Sequence, residues 1–391
     1  MTAARRTSLP IAFGALGLLL IAHGVDAQEV TRVRARPEQL QEWAVDQQPH
    51  LRIAMTGGID FASVVGLSVL PDGGVVLASD LRNNLQFFDA EGRHVKSVGR
   101  RGQGPGEFDG VDDLHRFGDT LALVDMNRAI HRFTLDGKYV ASKRVTGATE
   151  RMHGFFANGD RLVGIQRTER LREGSRQQAT EELVRLSASS RVTLGAFSTQ
   201  EFMLLPGGQL RGSVYSPRNR VAVLGDRFCA GYAGSQTFGC YDGSGRRLWT
   251  RSLTGAEPVA ATKVDQEAYF NDIYEVNVGS PRSMLDDQVR WARRRVTFAS
   301  SLGVYGAMHF ADDGALWIGP PSTDDWRRTN PNPLPRVSTR WRVFSPSGAA
   351  IANVTLPPRF YLLEAGSNYV AGVTKDDDDL EVVLVYRLRK K

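Results

Sequence analysis

The sequence predicts an all-β chain: a six-bladed β-propeller of four-stranded antiparallel blades. Three observations carry that prediction. A unit of about 45 residues recurs along the chain, the period of one propeller blade. Its apolar runs are short, rich in β-branched and aromatic residues, and divided by Gly, Asp and Asn. The last unit is one strand short, and a spare apolar segment, His50-Leu-Arg-Ile-Ala-Met, precedes the first.

Composition fits. The chain has 391 residues, 41% hydrophobic and 24% charged, which excludes a disordered or fibrous protein. Two cysteines exclude a disulfide framework and a Cys-rich zinc module.

The N-terminus reads as a leader. Arg5-Arg6 precedes an apolar run from Leu9 to Ala22, and Val25-Asp26-Ala27 precedes Gln28. A cationic start, a short apolar segment and small residues at −3 and −1 are the marks of a signal peptide cut between Ala27 and Gln28. The run is shorter than the ~20 residues that span a bilayer. Residues 1–27 are thus expected to be removed, leaving 28–391 as a single propeller domain in the periplasm or secreted. Ala-Arg-Arg-Thr-Ser-Leu fits Sec export better than a twin-arginine signal. No later stretch is apolar enough to span.

Unit one runs Leu67-Ser-Val-Leu-Pro-Asp72-Gly73-Gly-Val-Val-Leu-Ala-Ser-Asp80, then Leu85-Gln-Phe-Phe-Asp89-Ala-Glu-Gly92. Unit two repeats it from Leu114 through Asp125 to Phe133-Thr-Leu-Asp136-Gly137. Unit three opens at Phe155, unit four at Val221, unit five at Met308, and Tyr361 to Arg387 forms the sixth. The segment at His50 should complete the sixth blade and remove an exposed edge. Between units four and five, residues 262–298 read as a helical insertion. There Ser283-Met-Leu-Asp286 has the form of a helix cap, with Leu285, Val289 and Ala292 on one side of the helix from Met284 to Arg295. Residues 322–335, proline-rich, read as a long loop.

Gly99-Arg-Arg-Gly102-Gln-Gly104-Pro105-Gly106-Glu107-Phe108, between units one and two, resembles the loop of exported bacterial six-bladed propellers related to NHL-repeat and TolB-like propellers. The chain's end is similar too, with Phe360, a Gly-Val strand and Val-Tyr-Arg-Leu. The resemblance implies the fold and carries over no catalytic residue, because propellers host many activities.

The Gly99–Phe108 loop lacks the Lys-Ser/Thr of a phosphate loop, and Pro105 removes a donor, so it reads as an inter-blade crossing. Asp80 and Asp125 recur once per blade and read as turn caps. His115, His153 and His309 each fall in the first strand of a unit, the strand that lines a propeller's channel. Converging imidazoles could hold zinc or another divalent metal with open positions for substrate. The alternative is that they sit at unequal depths, since their offsets from the following turn differ. His50, His94 and His131 read as surface residues, and Asp376 to Asp379 as a solvated turn.

Two functions remain open. One is a binding or interaction module using the channel mouth and rim loops, its partner a protein, peptide or carbohydrate. The other is a metal-dependent propeller lyase or hydrolase, as the resemblance to some NHL-like propellers implies. The +6 charge is thinly spread, no basic and aromatic residues interleave, and nucleic acid is not expected as a partner. A monomer is expected. Finally, Cys229 and Cys240 flank ten residues that read as a hairpin around Gly234-Ser235. Counting outward places them opposite one another, within disulfide range. Export would supply the oxidising setting.

Overall fold

A computed structural model describes residues 40–55, 61, 64–79, 82–144, 150–168, 171–276, 280–321, 339–378 and 380–390. Ala27, Gln28, Asp80 and the 322–335 segment lie outside them.

The first blade consists of Val64–Val69, Val75–Ser79, Leu85–Phe88 and His94–Val98, hydrogen-bonded in that order. Its first turn shows why the sequence folds this way. Asp72 Oδ1 accepts the Gly74 N–H at 3.0 Å, and Gly73 takes φ +86°, a conformation only glycine adopts freely. The second blade is Asp113–Phe117, Thr120–Val124, Ala129–Thr134 and Tyr139–Arg144. Its outer strand is exposed throughout, while the second strand is buried from Leu121 onward. The fourth blade is Asn219–Leu224, Arg227–Tyr232, Thr237–Asp242 and Arg247–Ser252, and the fifth is Ala307–Phe310, Leu316–Gly319, Arg340–Phe344 and Ala350–Thr355.

The third blade departs from four strands. Glu150–Phe155, Arg161–Arg167, Arg176–Leu186 and Arg191–Leu204 are followed by Leu210–Gly212, which pairs back on the fourth strand. The reversal uses Gly207 and Gly208, both at positive φ.

The sixth blade is Tyr361–Ala365, Tyr369–Lys375 and Glu381–Arg389, and its fourth strand is Leu51–Ala54. Ile53 faces Val383 in that pairing and is 2% exposed, packed with residues of the sixth and first blades. The ring is therefore closed by the N-terminal segment. A further strand was not foreseen: Gln41–Val45 runs parallel to Ala350–Thr355 and touches the end of Glu381–Arg389, joining the fifth and sixth blades. Each blade's first strand contacts the first strand of the next, and the sixth contacts the first again. Six inner strands in cyclic contact define a six-bladed ring.

The insertion between blades four and five holds two helices, α1 (Lys263–Val276) and α2 (Arg282–Arg295). A Thr-x-x-Asp cap sits on α1, where Asp265 Oδ2 accepts the Thr262 N–H at 2.6 Å and the Thr262 hydroxyl at 2.8 Å. The expected cap at Ser283 is not used. α2 begins one residue before Ser283, after Pro281, whose φ of −56° suits a helix entry. Leu285, Val289 and Ala292 are buried on α2, as their spacing implied.

Candidate functional site

A cavity of about 1240 Å³ opens on the face where each first strand turns into the second. Residues from all six blades line it, from Leu67 in the first to Tyr369 in the sixth. Such a mouth follows from the ring itself, since six inner strands converge on one axis and leave their connecting turns around it.

The densest polar contact lies where the ring closes. Glu364, on the first strand of blade six, accepts the Tyr369 hydroxyl hydrogen bond. Its oxygens also receive the Val69 N–H at 3.3 and 3.4 Å, across the seam to blade one. The Val69 carbonyl in turn accepts Arg116 Nη1 at 2.8 Å, and Arg116 Nε donates to Gly118 O at 3.4 Å. One peptide is thus gripped by a carboxyl from blade six and a guanidinium from blade two. Gly366 makes room for the Tyr369 ring, because a Cβ there would stand 2.1 Å from it. Burial raises the Glu364 carboxyl to about 7, against the opposing pull of Tyr369, the Val69 N–H and Arg116. Burial, with the Glu364 charge, pushes the Tyr369 phenol up as well.

On the last strand of the same blade, Arg389 pairs with Asp46 at 2.5 Å. Arg387 stands opposite Tyr369 in the strand register, is exposed, and makes no ion pair among the described residues. Asp312 also lines the wall.

The three candidate histidines are held separately. His115 lines the mouth, with Nε2 3.4 Å from Asp113 Oδ2 and its ring 5.6 Å from Phe155. His153 lies deeper, bordering both the mouth and a second cavity of about 500 Å³ on the opposite face. Its Nε2 is 3.0 Å from Glu181 Oε1, and Glu181 Oε2 accepts Asn219 Nδ2 at 2.9 Å. Bonds from His153 and Asn219 hold the buried Glu181 carboxyl below its usual range despite desolvation. His309 packs 5.7 Å from the Trp341 ring, and desolvation lowers its imidazole to about 4, with the Arg220 charge adding to that. Among the described residues no group of three or more His, Cys, Asp or Glu side chains is placed to hold a metal. Each imidazole has a neighbour of its own: Asp113 for His115, Glu181 for His153 and Trp341 for His309.

His131 corrects another expectation. It is buried rather than at the surface, 3.1 Å from Asp125 Oδ2 and 5.5 Å from the Phe108 ring. Asp125 also accepts the Ala129 N–H at 2.7 Å, the turn-capping bond its position suggested. In the crossing loop, Glu107 takes the Gly104 N–H at 2.9 Å and Arg100 Nε at 2.7 Å, so the loop's own carboxylate occupies the amide an anion would need. At the acidic hairpin, Asp376 Oδ1 accepts the Leu380 N–H at 2.9 Å; Asp379 lies outside the described residues.

Cys229 faces Cys240 in the register of blade four, and a disulfide joins them with Cα atoms 3.9 Å apart. Both are buried.

The ring and its axial mouth define the class: a six-bladed β-propeller. Residues 70–181 match the family described as 6-bladed beta-propeller. By sequence, no curated protein matches. Solved structures similar to this chain include a Bacteroides fragilis protein, 11% identical, covering 92% of this chain and 98% of that one with a TM-score of 0.45. A Bacteroides vulgatus protein is 8% identical, with 90% and 100% coverage and a TM-score of 0.48. A catalytically inactive virginiamycin B lyase from Staphylococcus aureus is 11% identical, with 87% and 99% coverage and a TM-score of 0.40.

Proposed function

We propose that the protein is an exported propeller scaffold whose channel mouth is a binding site for a small molecule or a peptide segment. One observation carries this reading: a cavity of about 1240 Å³ to which every blade contributes. Clefts of several hundred Å³ with apolar walls and a few convergent polar groups are the usual form of a ligand site. Leu67, Leu114 and Phe155 supply the apolar wall; Glu364, Tyr369 and Arg116 supply the polar groups. The leader pattern and the Cys229–Cys240 disulfide support export to an oxidising compartment.

The test compares wild type with Asn368→Trp, a bulky change at an exposed turn on the mouth. Both are melted in the presence of sets of peptides, sugars and organic acids. Compounds that raise the wild-type Tm should leave the variant unmoved. Shifts retained in full by Asn368→Trp, or no shift from any set, would overturn the reading.

A further inference from the structure

We propose that the ligand of this mouth is an organic acid, its carboxylate held by Arg116 and Arg387 and its apolar body laid against Leu67, Leu114 and Phe155. The proposal rests on the channel reading and names the chemistry of the occupant.

Arg116 is prepared for such a ligand. Two backbone carbonyls hold its Nη1 and Nε, which fixes the plane of the guanidinium and leaves Nη2 with both hydrogens to donate. Holding the fork in advance reduces the side-chain entropy that binding would otherwise cost. Arg387 neighbours Tyr369 across the register, and Tyr369 bonds Glu364, on whose carboxyl Arg116 acts. Arg116, Arg387 and the Glu364 carboxyl all line the same mouth. A guanidinium pairs a carboxylate through two parallel N–H···O bonds, a geometry an ammonium would not give.

The charge balance of the wall turns on that one carboxyl. Asp46 and Arg389 cancel as a pair, leaving Arg116 and Arg387 against Asp312 and Glu364. With Glu364 protonated the wall carries net positive charge; with Glu364 ionised it carries none. The groups around Glu364 are Tyr369 on its own blade, Arg116 from blade two, and Asp312 from blade five acting through Tyr369. His50, His115 and His153 line the same cavity. Glu364 changes state near pH 7, so an anion is accepted more readily below neutrality and binding draws a proton onto Glu364. If only the protonated form binds, the competent fraction falls about tenfold from pH 6 to pH 8, and the apparent Kd rises by the same factor.

Titration calorimetry on the full chain tests this with three probes: 3-phenylpropionate, its neutral counterpart 3-phenylpropanol, and inorganic phosphate. The acid should bind, weakening by up to about tenfold between pH 6 and pH 8. Glu364→Gln should reduce that pH dependence, and Arg387→Gln, at an exposed position, should weaken the acid at least fivefold. Acid and alcohol binding alike, or an acid affinity independent of pH in the wild type, would overturn the assignment. So would phosphate binding as tightly as the acid, or none of the three binding. If acid and alcohol bind alike and Asn368→Trp removes both, the channel reading survives without the anion. Binding that persists in Asn368→Trp would defeat the channel reading itself.

Discussion

Replacing Ile53 by Ala probes the closure of the ring at one side chain. Ile53 lies on the N-terminal strand that completes the sixth blade and is 2% exposed, packed among residues of blades six and one. The change removes three carbons, and at roughly 0.8 kcal/mol for each buried CH₂ the transfer loss is about 2.4 kcal/mol. The cavity left behind adds to this, and a total of about 3–4 kcal/mol sits within the range measured for buried Ile→Ala changes. For a domain of ~350 residues the unfolding entropy is about 0.7 kcal/mol/K, so Tm should fall by about 4–6 °C. Arg52→Ala is the internal control: it is exposed on the same strand and should change stability by no more than about 0.5 kcal/mol. Urea unfolding followed by tryptophan fluorescence gives both values. Deleting residues 28–56 extends the test, and should leave an open, aggregation-prone ring with the edge of Glu381–Arg389 exposed. If Ile53→Ala is no less stable than Arg52→Ala, or the truncated chain stays monomeric at unchanged Tm, the N-terminal strand does not close the ring.

Two other outcomes follow from buried groups. The His309 imidazole is lowered to about 4, so between pH 6.5 and pH 4 the unfolded chain takes up a proton that the folded one refuses. Stability contributed there is complete above pH 6.5 and is lost on acidification, by at most about 3 kcal/mol; urea midpoints at pH 7 and pH 4.5 should diverge less in His309→Asn, and equal divergence in both proteins would remove His309 as the cause. Cys229 and Cys240 are eleven residues apart and bonded, so protein taken from an oxidising compartment and unfolded without reductant should yield no reactive thiols. Reduction should then cost about 2–3 kcal/mol, whereas two thiols per chain before reduction would refute the bridge.

Much of the architecture could be read from local chemistry. Asp72-Gly73 and Asp136-Gly137 mark turns because the aspartate binds nearby groups and the glycine adopts positive φ, here +86° and +75°. The Cys229–Cys240 register could be counted because a short hairpin leaves few alternatives. What the sequence concealed depends on partners distant in the chain. Gln41–Val45 shows no strong strand pattern, and only pairing with Ala350–Thr355 makes it a strand. The capping pattern at Ser283 was a genuine motif on the wrong helix: Thr262 and Asp265 use it, while Pro281 supplies the entry to α2. The histidines each fall in the first strand of a blade, yet that placement does not decide which neighbour a ring meets. Glu364 did carry a signal, as a single carboxylate within the apolar run Tyr361-Leu-Leu-Glu-Ala. Its role becomes visible only once Val69 and Arg116 stand beside it.

The strand that closes the ring also sets the order in which the molecule can be finished. Leu51–Ala54 pairs with Glu381–Arg389, and Asn353 Nδ2 reaches Glu42 Oε1 at 2.9 Å across 311 positions. The strand Leu51–Ala54 must therefore wait for Glu381–Arg389, more than 300 residues further on. Blades one to four can form as they appear, since each is built from neighbouring residues. The sixth cannot. The entropy of joining such distant ends grows only logarithmically, so the delay costs little in final stability, but it is paid before any of the closing contacts are made. Until then Val383 and Val385 present an unpaired edge, and a second unfinished chain can offer the same Leu51–Ala54 strand. Swapped pairs of rings are thus the characteristic misassembly of this topology, and they should form when many chains wait at once.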